Sequence, residues 1–186
     1  MKIFIDLGAY NGDTIKKAIS IYPNFDKYIG FETVPELYKK AKSRFVKDDR
    51  VKVYSFAASS SNGVEKFYIS KYKGKISKGS TLLSSKTSNN IKKDKFIKVK
   101  TIDFSEFLKE NVSEEDEVVL KVDIEGEEYN LFEYMIKNDS IRFVDKIYCD
   151  WHYKKIGASK ERHDKVVSDL VSLGFSIKGK NSSDAM

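Results

Sequence analysis

The stretch covering residues 1–14 constrains the fold of this chain more than any other. It begins with a short apolar run, residues 3–5, that predicts a strand buried on both faces and ends at Asp6. Gly8 and Gly12 follow at a spacing of four and predict a turn before a helix. Glycine lets a ligand approach the backbone closely, and a helix start offers free N–H groups. The stretch therefore predicts a pocket that could hold a nucleotide.

Glu32 makes the interpretation of this pocket more specific. It follows a second apolar run, residues 28–31, and an acid at the tip of the second strand can accept hydrogen bonds from both hydroxyls of a ribose. The nicotinamide fingerprint needs three glycines in the pattern G-x-G-x-x-G, whereas this turn has only Gly8 and Gly12. Asp6 would be unfavourable beside a pyrophosphate but favourable near the cationic amino-acid end of S-adenosylmethionine.

The rest of the chain alternates predicted strands with predicted helices, which favours an α/β fold with a mostly parallel sheet and right-handed crossovers. Further strands are predicted at residues 51–56, 117–123, 143–149 and 175–177, and helices after Thr14, Pro35, Asp103, Gly126 and Ser159. Asp13 or Thr14 is expected to cap the first helix. Asp103 with Glu106 has the spacing of a capping box.

The middle of the chain departs from this alternation. Residues 65–70 and 96–101 alternate apolar and polar side chains, which predicts an antiparallel edge of the sheet. Residues 71–95 between them are polar and predict a mobile loop, and residues 178–186 predict a frayed tail. We see no linker or repeat, so residues 1–186 are expected to form one domain.

Composition narrows the classes of protein that need to be considered. The 186 residues are 40% hydrophobic and 33% charged, as in soluble globular proteins. No apolar run reaches the roughly 18 residues of a membrane span, and the first strand leaves no room for a signal peptide. The single cysteine, Cys149, fits a reducing compartment, so we expect a cytoplasmic protein. The net charge of +6 comes mostly from lysine, whereas arginine is the better reader of phosphates and bases, so a nucleic-acid partner is less favoured.

Polar groups follow five predicted strand ends. They are Asp6, Glu32, the small residues 57–59, residues 123–125 and residues 150–152. Ligands of open parallel sheets bind outside the carboxyl ends of the strands. This convergence predicts a catalytic cleft.

The same motifs together resemble the FkbM-type S-adenosylmethionine-dependent methyltransferase family. The segments that carry the resemblance are residues 4–12, 31–32, 57–63, 79–82, 100–103 and 120–128, over nearly the whole chain. The most specific is the pattern Lys-x-Asp-x-Glu-Gly-x-Glu from Lys121 to Glu128. The chain departs from the family in lacking an extension before the first strand. The substrate side is then left open, unless the protein is a homo-oligomer in which a partner subunit covers it.

The resemblance implies a Rossmann-like class I methyltransferase fold with helices on both faces of the sheet, S-adenosylmethionine as cofactor, and O-methylation of a sugar, glycan or small hydroxylated acceptor. It places Asp6 and Gly8 by the methionine, Glu32 by the ribose, Ala57 by the adenine and Asp123 by the reacting centre. The full set of residues expected to bind the cofactor is Asp6, Gly8, Ala9, Tyr10, Asn11, Asp13, Thr14, Glu32, Ala57 and Asp123.

Several catalytic assignments stay open. The base that removes the acceptor proton could be Asp123, Glu125 or His152, and His152 has the most suitable unperturbed pKa. Alternatively, Asp123, Glu125, Asp150 and His152 could hold Mg²⁺ or Mn²⁺. His163 is expected to be solvated, and Tyr10 and Trp151 could pack on a sugar ring.

Two other functions compete with this interpretation. One is a nucleic-acid methyltransferase in which the loop lysines Lys71, Lys73, Lys75, Lys78 and Lys86 grip phosphates. The other is a binding module that keeps the cofactor fold without catalysis. In the favoured interpretation, the loop of residues 71–95 folds over the acceptor, and its serines and Thr81 bind hydroxyls.

Overall fold

A computed structural model describes residues 1–72, 75–76, 79–86 and 91–177. In chain order the strands are β1 (Lys2–Leu7), β2 (Lys27–Phe31), β3 (Val51–Tyr54), β4 (Ala57–Ser59), β5 (Gly63–Tyr68), β6 (Lys71–Tyr72), β7 (Lys75–Ile76), β8 (Phe96–Asp103), β9 (Glu117–Val122) and β10 (Lys146–Cys149). The α-helices are α1 (Asp13–Ile21), α2 (Pro35–Arg44), α3 (Phe104–Asn111), α4 (Glu128–Lys137), α5 (Tyr153–Ile156) and α6 (Lys160–Ser172), and a 3₁₀ turn covers Ser140–Phe143.

The main sheet has five strands, all parallel, in the order β10-β9-β1-β2-β3. The chain moves from β1 to β2 on one side and later returns to β9 on the other side of β1. A crevice forms where strand order reverses in this way, and it is the usual ligand site of such sheets. The predicted parallel α/β fold is confirmed.

Helices cover both faces of the sheet because successive strand residues point to opposite faces. Ile3 and Ile5 of β1 are fully buried in a cluster that includes Phe107 and Phe132 of α3 and α4. Phe4 is fully buried on the other face, against Ile15 of α1. The sheet is therefore buried on both sides, which explains the continuous apolar run at the start of the chain.

A second sheet carries the antiparallel pair. β5 pairs antiparallel with β8 as predicted, while β4 pairs parallel with β8, so this sheet has three strands in the order β4-β8-β5. Residues 57–59, which the sequence analysis placed after a strand end, form a strand of their own, β4, because their backbone pairs with residues 101–103 of β8. The pair thus belongs to a separate sheet beside the five-stranded one.

Several element boundaries differ from the predictions. The residue that caps α1 is Gly12, at φ 86°, and Asp13 is the first helical residue. The strand predicted at residues 143–149 begins at Lys146, since residues 140–143 form the 3₁₀ turn. No strand forms at residues 175–177, because Phe175 donates its N–H to the carbonyl of Leu170 and closes α6.

Two predicted caps are confirmed. The Asp103 carboxylate accepts from the N–H of Glu106, and the Ser159 hydroxyl accepts from the N–H of Arg162.

The polar segment of residues 71–95 contains the short antiparallel pair β6 and β7. Residues 79–86, which we call the strap, pack beside the main sheet, and Thr81 forms a bridge with Tyr68. Residues 73–74, 77–78, 87–90 and 178–186 lie outside the described residues, so Lys73, Lys78 and the predicted tail are among the positions left undescribed.

Among the residues with a described structure, none of the helices combines the length and the apolar character needed to cross a membrane.

Candidate active site

One pocket lies at the carboxyl ends of the main-sheet strands, next to β4. It is lined by Gly8, Tyr10, Phe31, Glu32, Thr33, Val34, Leu37, Phe56, Ala57, Ala58, Phe67, Gly79, Ser80, Leu82, Asp123, Ile124, Glu125 and Glu127. Six of these residues were proposed from the sequence as cofactor or catalytic residues: Gly8, Tyr10, Glu32, Ala57, Asp123 and Glu125. The strap contributes Gly79, Ser80 and Leu82, so part of the predicted loop does lie against the cleft.

Gly8 follows β1 and packs closely against Asp123, the residue that follows β9. Its φ is 90°, and a side-chain Cβ placed there would lie 2.1 Å from the backbone oxygen of Asp123. Any other residue would push the two strand ends apart, so glycine is required by close packing here. This contact holds Asp123 at the edge of the pocket.

Glu32 is fixed by the backbone of the turn it faces. One carboxylate oxygen accepts from the N–H of Tyr10 (2.8 Å) and the other from the N–H of Val34 (2.7 Å). Burial raises the pKa of Glu32 to about 7, although these two hydrogen bonds act to lower it. A carboxylate oxygen has more than one lone-pair site, so Glu32 can still accept from ligand hydroxyls.

Tyr10 and Glu125 both have the left-handed backbone conformation, with φ of 52° and 57°. This region is uncommon for residues other than glycine and clusters at functional sites. Both residues line the pocket. Backbone conformation thus independently points to the same location.

Asp6 lies behind the pocket, fully buried, and does not line it. The ammonium of Lys121 lies 3.0 Å from Asp6 and 3.5 Å from Asp123, so it links the two carboxylates. Burial acts to lower the pKa of Lys121, but the two acids outweigh it and raise that pKa. Asp6 therefore acts on the pocket indirectly, through its ion pair with Lys121 and through its charge, which helps to raise the pKa of Glu32. Sequence reasoning treated Lys121 only as part of a motif, although a lysine within an apolar strand was a signal for this pairing.

The remaining predicted cofactor residues also lie outside the pocket lining. Ala9 is buried, and Asp13 forms an ion pair with Arg44 at 2.5 Å. Asn11 and Thr14 are half-buried near the start of α1. The turn approaches the pocket through Gly8 and Tyr10, since the chain then bends away toward the helix.

His152 is held by Glu128, which the sequence analysis named only as the last residue of a motif and gave no role. Glu128 is fully buried, and one of its oxygens accepts from the N–H groups of Ile124 and Gly126 (3.1 Å each) and from Nδ1 of His152 (2.9 Å). Because Nδ1–H donates to the carboxylate, Nε2 is the atom left to exchange a proton. Burial acts to lower the pKa of His152, but the hydrogen bond and charge of Glu128 raise it.

The Nε2 atom of His152 faces three carboxylates. It lies 3.4 Å from Glu125, 3.8 Å from Asp150 and 3.9 Å from Asp123. His152 itself does not line the pocket, whereas Asp123 does. Asp123 and Glu125 are thus the predicted catalytic residues that line the pocket, and His152 contacts both from outside the lining.

The same groups could act as metal ligands. Ligand atoms of Asp123, Glu125 and His152 lie within 4.8 Å of one another, and two carboxylates with an imidazole suit Mn²⁺. However, the ammonium of Lys86 in the strap donates to Glu125 and to the carbonyl of Gly79 (2.9 Å). A divalent ion bound through Glu125 would have to displace this buried cation, so the cluster does not fit a resident metal well.

Three sequence-based placements are wrong. Lys86 is buried, so it cannot belong to an exposed phosphate-binding set. Trp151 packs on Tyr129, with ring centroids 5.4 Å apart, and does not line the pocket. His163 is half-buried rather than fully solvated, because it stacks on Tyr153 at 4.6 Å and its Nδ1 lies 3.0 Å from the Tyr129 hydroxyl.

Comparison with solved structures shows a likeness to a crystal structure of methyltransferase FkbM from Methylobacillus flagellatus KT, with a TM-score of 0.52 and 10% sequence identity. The alignment covers 90% of this chain and 38% of that protein, so the chain spans well under half of its length. At this identity the likeness supports the fold alone. A comparison with curated proteins gives no match.

The family comparison covers most of the chain. The model of the methyltransferase FkbM domain matches residues 6–177, which include every residue of the pocket. The chain therefore belongs to the FkbM methyltransferase domain family.

Proposed function

We propose that the protein is an S-adenosylmethionine-dependent O-methyltransferase that acts on a sugar, a glycan or another small hydroxylated acceptor. One observation carries the proposal. Gly8, Tyr10, Glu32, Ala57 and Asp123, which were selected from separate sequence motifs, line a single pocket at the switch point of the sheet. Family membership supports methyl transfer as the chemistry.

Different residues of the pocket are assigned to different parts of S-adenosylmethionine. Glu32 accepts the ribose hydroxyls, while Ala57 and Ala58 leave room for a flat base. Gly8 lets the methionine part approach the backbone. S-adenosylmethionine supplies an already reactive sulfonium methyl group, so the protein mainly has to orient the acceptor and remove its proton.

We assign Asp123 as the group that receives that proton. It lines the pocket, and Lys121 lies 3.5 Å away on its other side. The Nε2 atom of His152 lies 3.9 Å from Asp123, so neutral His152 could accept a proton passed on by the carboxylate. In this scheme Asp123 contacts the acceptor, and His152 and Glu128 act behind it.

The proposal does not require a divalent metal. Lys86 contacts Glu125, and Lys155 lies 3.7 Å from it, so positive charge is already present at the acidic cluster. We expect methyl transfer to survive chelation. Loss of activity with EDTA and its recovery with Mn²⁺ or Mg²⁺ would contradict this part of the proposal.

Ligand binding tests the proposal first. S-adenosylhomocysteine at 100 times its dissociation constant should stabilise the protein by about 2.7 kcal/mol, and NAD should not. Glu32→Ala should weaken binding by roughly 1.5–3 kcal/mol in calorimetry, the usual scale for a hydrogen bond to a charged group. The control is Glu36→Ala, since Glu36 is exposed on α2 and its ion pair with Lys40 lies on the surface. Equal affinity in wild type and Glu32→Ala would remove Glu32 from the site.

Activity is tested with labelled S-adenosylmethionine on a panel of sugars, DNA and RNA. Label on a hydroxylated small molecule supports the proposal. Label on nucleic acid alone would favour the competing nucleic-acid methyltransferase. Cofactor binding without turnover on any acceptor class would favour the non-catalytic binding module.

A further inference from the structure

A buried carboxyl group, Glu127, lines the pocket on the side of the second sheet. Apolar side chains of β4 and β5 form this end of the pocket, namely Ala57, Ala58 and Phe67. Glu127 is only 7% exposed and immediately precedes α4. Glu127 is the N-cap residue of α4, and α4 contacts β4, which puts the start of this helix on the β4 side of the pocket. The polar group therefore faces the apolar end of the pocket, where the proposed function puts the adenine.

A chain of hydrogen bonds holds Glu127 in place as an acceptor. Arg162 donates to Glu133 through two bonds (2.9 and 2.6 Å) and to the side-chain oxygen of Asn130 (2.7 Å). The Asn130 oxygen is thereby occupied, so its amide nitrogen donates to Oε2 of Glu127 (3.0 Å). Because Asn130 can only donate to Glu127 in this arrangement, Glu127 is held as a hydrogen-bond acceptor and can also accept from a ligand.

The second oxygen of Glu127 is the one available to that ligand. Within the part of the chain that the structure describes, Oε1 accepts no hydrogen bond. Burial raises the pKa of Glu127 to about 7, although Asn130 acts to lower it. An ionised carboxylate beside apolar walls is costly unless a donor reaches it. A ligand that brings an N–H group to this end of the pocket removes that cost.

We propose that Glu127 accepts a hydrogen bond from the exocyclic amino group of adenine and so makes the pocket selective for a 6-amino purine over a 6-oxo purine. The inference rests on the proposed function, since it assumes that an adenosyl group occupies the pocket. Glu32 is already engaged with the turn and is assigned to the ribose, so Glu127 supplies a second, separate acceptor for the base. A 6-oxo purine would present an acceptor to an acceptor.

The experiment compares two ligands that differ at position 6 of the purine, where an oxo group replaces the amino group and N1 gains a proton. It is run at about pH 8, above the pKa of about 7 for Glu127, so that this carboxylate is ionised. Calorimetry measures the affinity of the wild-type protein for S-adenosylhomocysteine and for S-inosylhomocysteine, which carries the 6-oxo base. We expect at least a tenfold preference for the adenosyl ligand, because a site built to receive a donor discriminates strongly against a ligand that lacks it. Glu127→Gln should reduce or reverse the preference, since its amide can donate to the oxo group.

Two further variants complete the design. Glu65→Gln removes a nearby charge on the exposed part of β5 and should leave the preference unchanged. Glu127→Asp keeps the acceptor and should retain the preference with weaker binding. If Glu127→Gln does not fold, the wild-type ratio and Glu127→Asp still decide the question.

The outcomes distinguish a failure of the proposed function from a failure of the role proposed for Glu127. Absence of any binding of S-adenosylhomocysteine to the wild type would overturn the proposed function itself. Tight binding with equal affinity for both ligands, or an unchanged preference in Glu127→Gln, would overturn the role of Glu127 and leave the proposed function standing.

Discussion

Asp123 is the single residue on which the proposed chemistry depends most. Asp123→Asn keeps the size of the side chain but removes the group that accepts a proton, and a general base typically contributes about 10²–10⁴-fold in rate. We therefore expect turnover to fall by that factor while the affinity for S-adenosylhomocysteine changes little. Steady-state kinetics and calorimetry on the same preparation measure the two effects.

The matched control for this change is Asp49→Asn, an exposed position in the turn before β3. It should leave both quantities unaltered. Full turnover in Asp123→Asn would place the reacting centre elsewhere in the pocket.

Glu32 makes a prediction about stability because its pKa is about 7 in the folded protein. An unfolded glutamate titrates near 4.3. The folded state binds the proton more tightly, so its advantage is fully present below about pH 4 and is lost as pH rises through about 7. The shift from about 4.3 to about 7 corresponds to about 3.7 kcal/mol in all, of which the ligand-free wild type should lose about 2.5 kcal/mol of unfolding free energy between pH 5 and 8.

Urea denaturation across this pH range measures the loss. Glu32→Gln cannot titrate, so it should show a weaker pH dependence than the wild type, while Glu36→Gln should behave like the wild type. The same pH dependence in Glu32→Gln and wild type would show that Glu32 does not titrate in this range in the folded protein.

Among the structural elements, the strap of residues 79–86 depends on one buried contact. The side chain of Lys86 is fully buried and contacts Glu125, which is 13% exposed. Removing one partner of a buried ion pair typically costs about 3–5 kcal/mol. Lys86→Met keeps the apolar stem, and Lys155 and His152 remain near Glu125, so we expect a loss of about 3 kcal/mol in unfolding free energy.

The control for the strap is Lys92→Met, which changes an exposed lysine and should stay within about 0.5 kcal/mol of wild type. Urea denaturation at constant pH compares the two variants. A loss below about 1 kcal/mol in Lys86→Met would mean that the ion pair does not fix the strap.

The elements that were predicted well are those with a local signal. The apolar run before Asp6 and the acids at strand ends are local signals, and they pointed to Gly8, Glu32 and Asp123, which line one pocket. The contacts that sequence reasoning missed join distant positions, as with Lys86 and Glu125, 39 residues apart, or His152 and Glu128, 24 residues apart. Periodicity and capping rules contain no information about such pairs, which form only after the strands have assembled.

A related error concerns residues whose type suggests exposure. The sequence analysis assigned Lys86 to phosphate contact, Trp151 to contact with a sugar ring, and His163 to solvent. Each instead contacts a partner within the protein: Lys86 contacts Glu125, Trp151 packs on rings of α4, and His163 lies beside the Tyr129 hydroxyl. Tertiary partners, rather than residue type, decided their positions.

For the whole molecule, the net charge of +6 makes nucleic acid the main alternative to a hydroxylated small-molecule acceptor. Burial of Lys86 reduces the proposed phosphate-binding set to four, and of these Lys71 is the one whose side chain is described, as exposed. Four phosphate contacts on duplex DNA would give a slope of roughly −3.6 in log affinity against log salt, or about 150-fold between about 50 and 200 mM. A neutral hydroxylated acceptor releases no counterions.

We therefore expect the Michaelis constant for the sugar acceptor to change less than about twofold over this salt range, since counterion release is absent. Lys71→Gln should leave that constant unaltered. Initial rates at the two salt concentrations, with a parallel titration of labelled duplex DNA and RNA, measure both interactions. A steep salt dependence that is reduced in Lys71→Gln, together with methyl transfer to nucleic acid and to none of the sugars, would overturn the glycan proposal in favour of a nucleic-acid methyltransferase.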